Sequence, residues 1–289
     1  MDINLKQLMT VHSQFGIENH FGIQNEFSSK LIIDPNPSYF ESDLIYDREN
    51  IDRIFLLHGC EPPKLNEITS KIIENHSKFD KIFSFSQEVL QKCENSEQFQ
   101  FGSCWVLMDR EKNLECNRSN YFNHFNTEKK FKVSFIKSGK NYLEGHQLRH
   151  FVPEVLSQLK NLEVYFPEKL SNKISLFDDS MFHIAIENSK FNNFFTEKII
   201  DCFMTYTIPI YWGCPNITTY FNEKGIIFFE NINELETILK NLTIFDYNRR
   251  LPYIKENYHI ALENYAFFFD NIKERITKFN ESHPFDRTK

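Results

Sequence analysis

The chain has 289 residues, 41% of them hydrophobic and 25% charged, with a formal net charge of −7. That length and balance describe a globular chain with room for two domains, and the negative charge gives no electrostatic basis for nucleic acid or an anionic membrane as partner. No apolar run approaches the ~20 residues of a membrane span, and the opening MDINLKQLMTVHSQFG lacks the basic-then-apolar order of a signal peptide. The cysteines (Cys60, Cys93, Cys104, Cys116, Cys202, Cys214) form no C-x-x-C pair and no cluster with histidine. Neither zinc nor a disulfide framework is therefore expected, and free thiols in a reducing cytoplasm are. Phe 31 and Tyr 12 are high counts; compositional bias and a sugar-stacking groove both account for them.

In chain order, Leu31 to Asp34 reads as a short strand followed by a Pro-containing loop. Arg53 to His58 (RIFLLH) is a firmer strand, and Glu61-Pro62-Pro63 follows it closely. A carboxylate held by two rigid prolines at a strand's end suits a general base, and it equally suits an exposed loop glutamate. Lys64 to Phe79 carries Leu65, Ile68, Ile72 and Ile73 at helical spacing, and Lys81 to Phe85 reads as the next strand. The polar, Asn-rich stretch 117–130, with His124 as a surface histidine, reads as an interdomain linker. Phe131 to Ile136 then opens a second domain and leads through Lys137-Ser138-Gly139-Lys140-Asn141 to a helix beginning near Gly145 and carrying Arg149. A Ser-Gly turn can aim N–H groups at an anion; a plain strand-turn-helix with a solvated arginine reads as well. Pro153 is expected to end or kink that helix. Leu162 to Phe166 is another strand, and Asp178-Asp179 reads as a loop, since its spacing is not that of an Asp-x-Asp metal motif.

The densest pattern comes next. Phe182 to Ile186 is a buried-type strand, Glu187 to Asn193 a polar loop, and Thr196 a helix cap. Ile199, Ile200, Phe203 and Met204 share one helical face, and Ile208 to Trp212 forms a strand that stops at Gly213. This is a βαβ crossover, whose first loop lies at the carboxyl edge of the sheet, where open α/β folds bind ligands. A helix N-terminus with Lys198 in its first turn suits a phosphate, and a neighbouring glutamate suits vicinal hydroxyls. A capped helix with a solvated Glu-Lys pair accounts for the same residues. Beyond Gly213, Ile226 to Phe229 reads as a strand, and 232–242, 245–258 and 261–279 as helices.

Glu187-Asn188-Ser189, three spacers, Asn193-Phe194-Phe195-Thr196-Glu197-Lys198 and the closing Ile208-Pro209-Ile210-Tyr211-Trp212-Gly213 resemble the signature of glycosyltransferase family 10, the α-1,3-fucosyltransferases. The spacing matches without a gap, with two departures: Asn193 stands where the family usually has Asp, and Phe194 where it usually has Tyr. The resemblance implies an α/β protein of GT-B fold, two Rossmann-like domains facing a cleft. The expected division is 1–130 for the acceptor side, 131–250 for the donor side, and 251–289 as helices packing back toward the first domain. It implies an inverting transfer of L-fucose from GDP-fucose to a glycan hydroxyl, with no cofactor and no essential metal. The family's Glu-x-Pro motif maps the base onto Glu61, and its pyrophosphate arginine onto Arg149, with Lys140 as second candidate beside Ser138. Lys198 would hold the diphosphate, Glu197 the ribose hydroxyls and Asn188 the donor, with Glu187, Asn193 and Phe194 completing the donor set. Nucleotide sugar and glycan acceptor are the partners implied, with no nucleic acid and no integral membrane segment. Animal and plant members are usually membrane-anchored, so this chain looks like the soluble microbial or viral type. Because Asn193 and Phe194 alter the donor neighbourhood, a different nucleotide sugar is the first alternative. A catalytically inactive nucleotide-sugar-binding domain is the second.

Overall fold

The computed structural model describes residues 17–22, 28–34, 37–41, 46, 52–59, 64–106, 118, 121, 128–168 and 172–284. Glu61 and His124, singled out above, lie outside the described residues. The chain forms two compact units, 1–100 with 272–289, and 101–271. The division falls ahead of the polar stretch 117–130 because backbone groups before it bond to unit 2. Cys104 N–H reaches Ala266 O at 3.1 Å, and Trp105 N–H reaches Asp201 Oδ1 at 2.7 Å.

Unit 1 is built on the sheet β1 (Ile17–Gly22), β2 (Ser28–Ile33), β3 (Arg53–His58), β4 (Lys81–Ser84) and β5 (Ser96–Gln98), in that order. Only β1–β2 is antiparallel. Alternate residues of β3 serve opposite faces. Ile54 and Leu56 pack with Ile68 and Ile72 of α1 (Leu65–Asn75) and Val89 of α2 (Gln87–Lys92). Phe55 meets Phe279 edge-on, with ring centroids 5.5 Å apart. Covering on both faces is why RIFLLH is a continuous apolar run instead of an alternating one.

Unit 2 holds a second sheet, entirely parallel, ordered β10-β9-β8-β6-β7. Its strands are β6 (Lys130–Ser134), β7 (Glu163–Tyr165), β8 (Ser180–Ile186), β9 (Ile208–Trp212) and β10 (Ile227–Phe228). The central strand, β8, is buried along its whole length. The helices are α3 (Glu144–Ser157), α4 (Glu197–Met204), α5 (Ile232–Asn241) and α6 (Ile244–Asn264); α7 (Phe268–Ser282) runs on into unit 1. From β6 the chain goes outward to β7, then returns to the other side of β6 as β8. The strand order therefore reverses between β6 and β8.

One sequence expectation is narrowed and another corrected. Of the two outcomes expected at Pro153, an end or a kink, the end does not occur: α3 continues to Ser157. An interior proline costs about 3 kcal/mol, whereas Val152, Val155 and Leu156, all buried, contribute roughly 1.5–3 kcal/mol each. Tertiary burial wins. The break between the last two helices falls at 265–267, not near 259, because buried Asn257, Tyr258 and Ala261 carry α6 through to Asn264. Asp178 and Asp179 form a turn, as expected from their spacing, and Asp179 is paired with Lys132 and, at 3.0 Å, Lys130.

Candidate functional site

The reversal between β6 and β8 matters because loops leaving adjacent strands in opposite directions open a crevice at their carboxyl ends, the usual ligand position in open α/β sheets. Here the loops are 135–143, ahead of α3, and 187–196, ahead of α4. Both deliver a helix N-terminus to the same edge, and free N–H groups there favour an anion.

The loop after β8 is closed by Glu187, whose side chain is fully buried. Thr196 donates to both of its oxygens, from N at 2.9 Å and from Oγ1 at 2.7 Å. Lys198 Nζ lies 3.3 Å from Oε2. Glu187 thus ties the two ends of its own loop together, with its carboxylate turned inward. Gly213 makes room for it, since a Cβ there would stand 2.5 Å from Glu187 Cγ. The Lys198 ammonium also contacts Thr196 Oγ1 at 2.9 Å and Glu197 Oε1 at 3.4 Å.

Arg149 is 6% exposed. Its Nε donates to Ile186 O at 3.1 Å, and Nη2 donates to the same carbonyl and to Asn188 Oδ1, the latter at 2.7 Å. The guanidinium therefore fixes the end of β8 and the orientation of Asn188. Alongside it, His146 is buried with Nδ1 unpartnered. Burial, then the charges of Arg149, Lys140 and Lys198, push its pKa down to about 4. Ser138 Oγ accepts from Lys140 N–H at 3.2 Å, and Lys140 itself is exposed in the loop ahead of α3.

The two departures from the family signature face the interior. Asn193 adopts φ 65, a left-handed conformation that Asn tolerates better than most residues. Its Oδ1 accepts from Asn216 Nδ2 at 2.7 Å and Tyr220 OH at 2.6 Å. Phe194 is 2% exposed. Both hold the loop's shape.

Sequence reasoning missed Lys173 and Asp201. Asp201 is fully buried in α4 and accepts from the backbone N–H groups of Trp105 and Val106, and Lys173 Nζ lies 2.6 Å from its Oδ2. Lys173 also reaches Glu197 Oε1 at 3.8 Å. Burial opposes the charge on Glu197, yet Lys198 and Lys173 outweigh it and hold its pKa at about 2. The one signal in the sequence was a carboxylate among the apolar Ile199, Ile200, Cys202, Phe203 and Met204, which implies a buried partner.

The start of α3 lies hard against the loop after β8. Gly145 N–H donates to Asn188 O at 3.0 Å, and a Cβ on Gly145 would come within 1.8 Å of Glu187 O. The obstacle is backbone, so a side-chain rotation cannot relieve it. Gly145→Ala is expected to cost about 1–3 kcal/mol or more of stability and to separate the two loops. Chemical denaturation checks this; an unchanged midpoint would show that the loops part freely.

Residues 154–265 match the model of glycosyltransferase family 10 (fucosyltransferase), C-terminal. An alpha-(1,3)-fucosyltransferase, FucT, of Helicobacter pylori is 33% identical over 106 residues, which is 36% of this chain and 22% of that protein. The chain thus matches about a fifth of the relative's length. Among solved structures, an alpha1,3-fucosyltransferase with GDP-fucose aligns with TM-score 0.51 and 22% identity, covering 90% of this chain and 79% of that one. TarM aligns with TM-score 0.54 and 12% identity, covering 86% and 54%. The fold is that of the GT-B glycosyltransferases, with a parallel Rossmann-like sheet in unit 2 and a mostly parallel one in unit 1. Among the described residues no helix is long and apolar enough to cross a membrane.

Proposed function

We propose that this chain is an inverting glycosyltransferase that moves L-fucose from GDP-fucose to a hydroxyl of a glycan acceptor. The observation that carries the reading is the placement of Lys198, Arg149 and two helix N-termini at the switch point of unit 2, inside or next to the segment that matches the fucosyltransferase domain. That arrangement suits a diphosphate, and Glu197 beside it, held ionised, suits the hydroxyls of a ribose. Glu61 would take the proton from the acceptor hydroxyl as that oxygen attacks the anomeric carbon from the face opposite GDP. The bond from that carbon to the diphosphate oxygen breaks, and its electron pair leaves with GDP. Lys198, the positive field around Arg149 and the helix N-termini stabilise the charge that develops there. Asn193 and Phe194 are spent on the loop's interior contacts, so their departure from the family pattern does not argue for a different donor. Because side chains and helix ends supply the positive charge, no divalent metal is required in this scheme. Cys93, Cys104, Cys202 and Cys214 are buried free thiols, in keeping with a reducing cytoplasm.

The test is the thermal midpoint with GDP, GDP-fucose, GDP-mannose, UDP and UDP-glucose in turn, each with EDTA. A ligand at about 100 times its Kd adds ~2.7 kcal/mol, a rise of several degrees. GDP and GDP-fucose are expected to raise the midpoint and UDP is not. A rise with uridine compounds alone, or with none, would remove the GDP-fucose assignment.

A further inference from the structure

We propose that Lys173 is a positioning residue that aims the Glu197 carboxylate at the ribose hydroxyls of the nucleotide; the inference rests on the nucleotide-sugar reading above. Three carboxylates, Glu187, Glu197 and Asp201, crowd the start of α4, and Lys198 already serves Glu187 and Glu197. With Lys198 as its only counter-ion, Glu197 would compete with the diphosphate for that ammonium. Lys173 supplies a second cation from a different element, the short turn Lys173–Leu176 ahead of β8.

Its own position is fixed on several sides. The ammonium is 2.6 Å from Asp201 Oδ2 and 3.8 Å from Glu197 Oε1, and it stands 4.8 Å from the centroid of the Trp105 ring. Asp201 is anchored in turn by the N–H groups of Trp105 and Val106, at 2.7 and 3.2 Å. Lys198 and Lys173 make their closest approach to the same oxygen of Glu197, Oε1. Held from that side, the carboxylate keeps one orientation and its charge, the state that accepts hydrogen bonds from a pair of hydroxyls. An arrangement serving stability alone would not discriminate between ribose and a sugar stripped of those hydroxyls.

The experiment is calorimetric titration of the full chain with GDP and with 2′,3′-dideoxy-GDP. Wild type is expected to bind GDP about 10- to 100-fold more tightly, the range for hydrogen bonds to a charged group. Lys173→Met alone leaves Asp201 buried without its counter-ion, so the main variant pairs Lys173→Met with Asp201→Asn. It should lose most of the GDP preference, bind dideoxy-GDP as wild type does, and keep a folded-state melting transition. Lys173→Arg should restore the preference. Equal weakening of both ligands, or weakening of neither, would overturn the proposal. Wild type that binds both nucleotides alike would overturn the proposal alone, and wild type that binds neither would overturn the nucleotide-sugar reading and the proposal with it.

Discussion

Replacing Lys198 by alanine is expected to lower kcat by about 10²- to 10³-fold, the effect of removing one preorganised donor from a developing negative charge. Lys198 is held for this role by Thr196 Oγ1, Glu187 and Glu197, so its ammonium reorganises little when charge appears on the leaving diphosphate. The variant should still fold. The buried Glu187 carboxylate keeps two hydrogen bonds from Thr196, and the pair with Lys198, 20% exposed, is partly screened by solvent. Single-turnover kinetics with saturating GDP-fucose, beside the melting midpoint, separate the two effects. Wild-type turnover in Lys198→Ala would remove the lysine from the mechanism. A collapsed midpoint would make it a structural counter-ion.

Glu61→Gln is expected to lower kcat by about 10²- to 10⁴-fold, the range for losing a general base, while leaving GDP affinity and the melting midpoint in place. The expectation rests on sequence position and on the Glu-x-Pro resemblance. In the sequence Glu61 closely follows β3, the middle strand of the unit 1 sheet. Glutamine keeps the shape and removes the basic oxygen. The acid limb of the pH–rate profile should disappear with it. A retained limb and an undiminished rate would put the base elsewhere.

The β8–α4–β9 unit was legible because three local codes agree there: a continuous apolar strand, Thr196 as cap, and an apolar face of period 3.6. The direction in which Glu187 points was not legible. It depends on the missing Cβ of Gly213 and on Thr196, which share no local pattern with it. Asn193 shows the same limit, since its partners Asn216 and Tyr220 lie beyond α4 and β9. Lys173 and Asp201 stand on different elements, and only the fold brings their charges to 2.6 Å. Pro153 does not end its helix, because the burial of its neighbours carries α3 past it.

The make-up of unit 1 bears on the order in which the chain can fold. Its core includes Phe279 on Phe55, and Arg53 spans from Asp80, at 2.9 Å, to His283 O, at 2.7 Å. Those contacts wait for residues 272–289, which leave the ribosome after all of unit 2 has been made. Unit 2 is continuous from 101 to 271. During synthesis the unit 2 sheet is therefore complete before the last residues of unit 1 are made. The earlier-made β3 leaves Phe55 without Phe279 until α7 arrives, a window in which a chaperone or an aggregating partner meets an apolar side chain of the sheet.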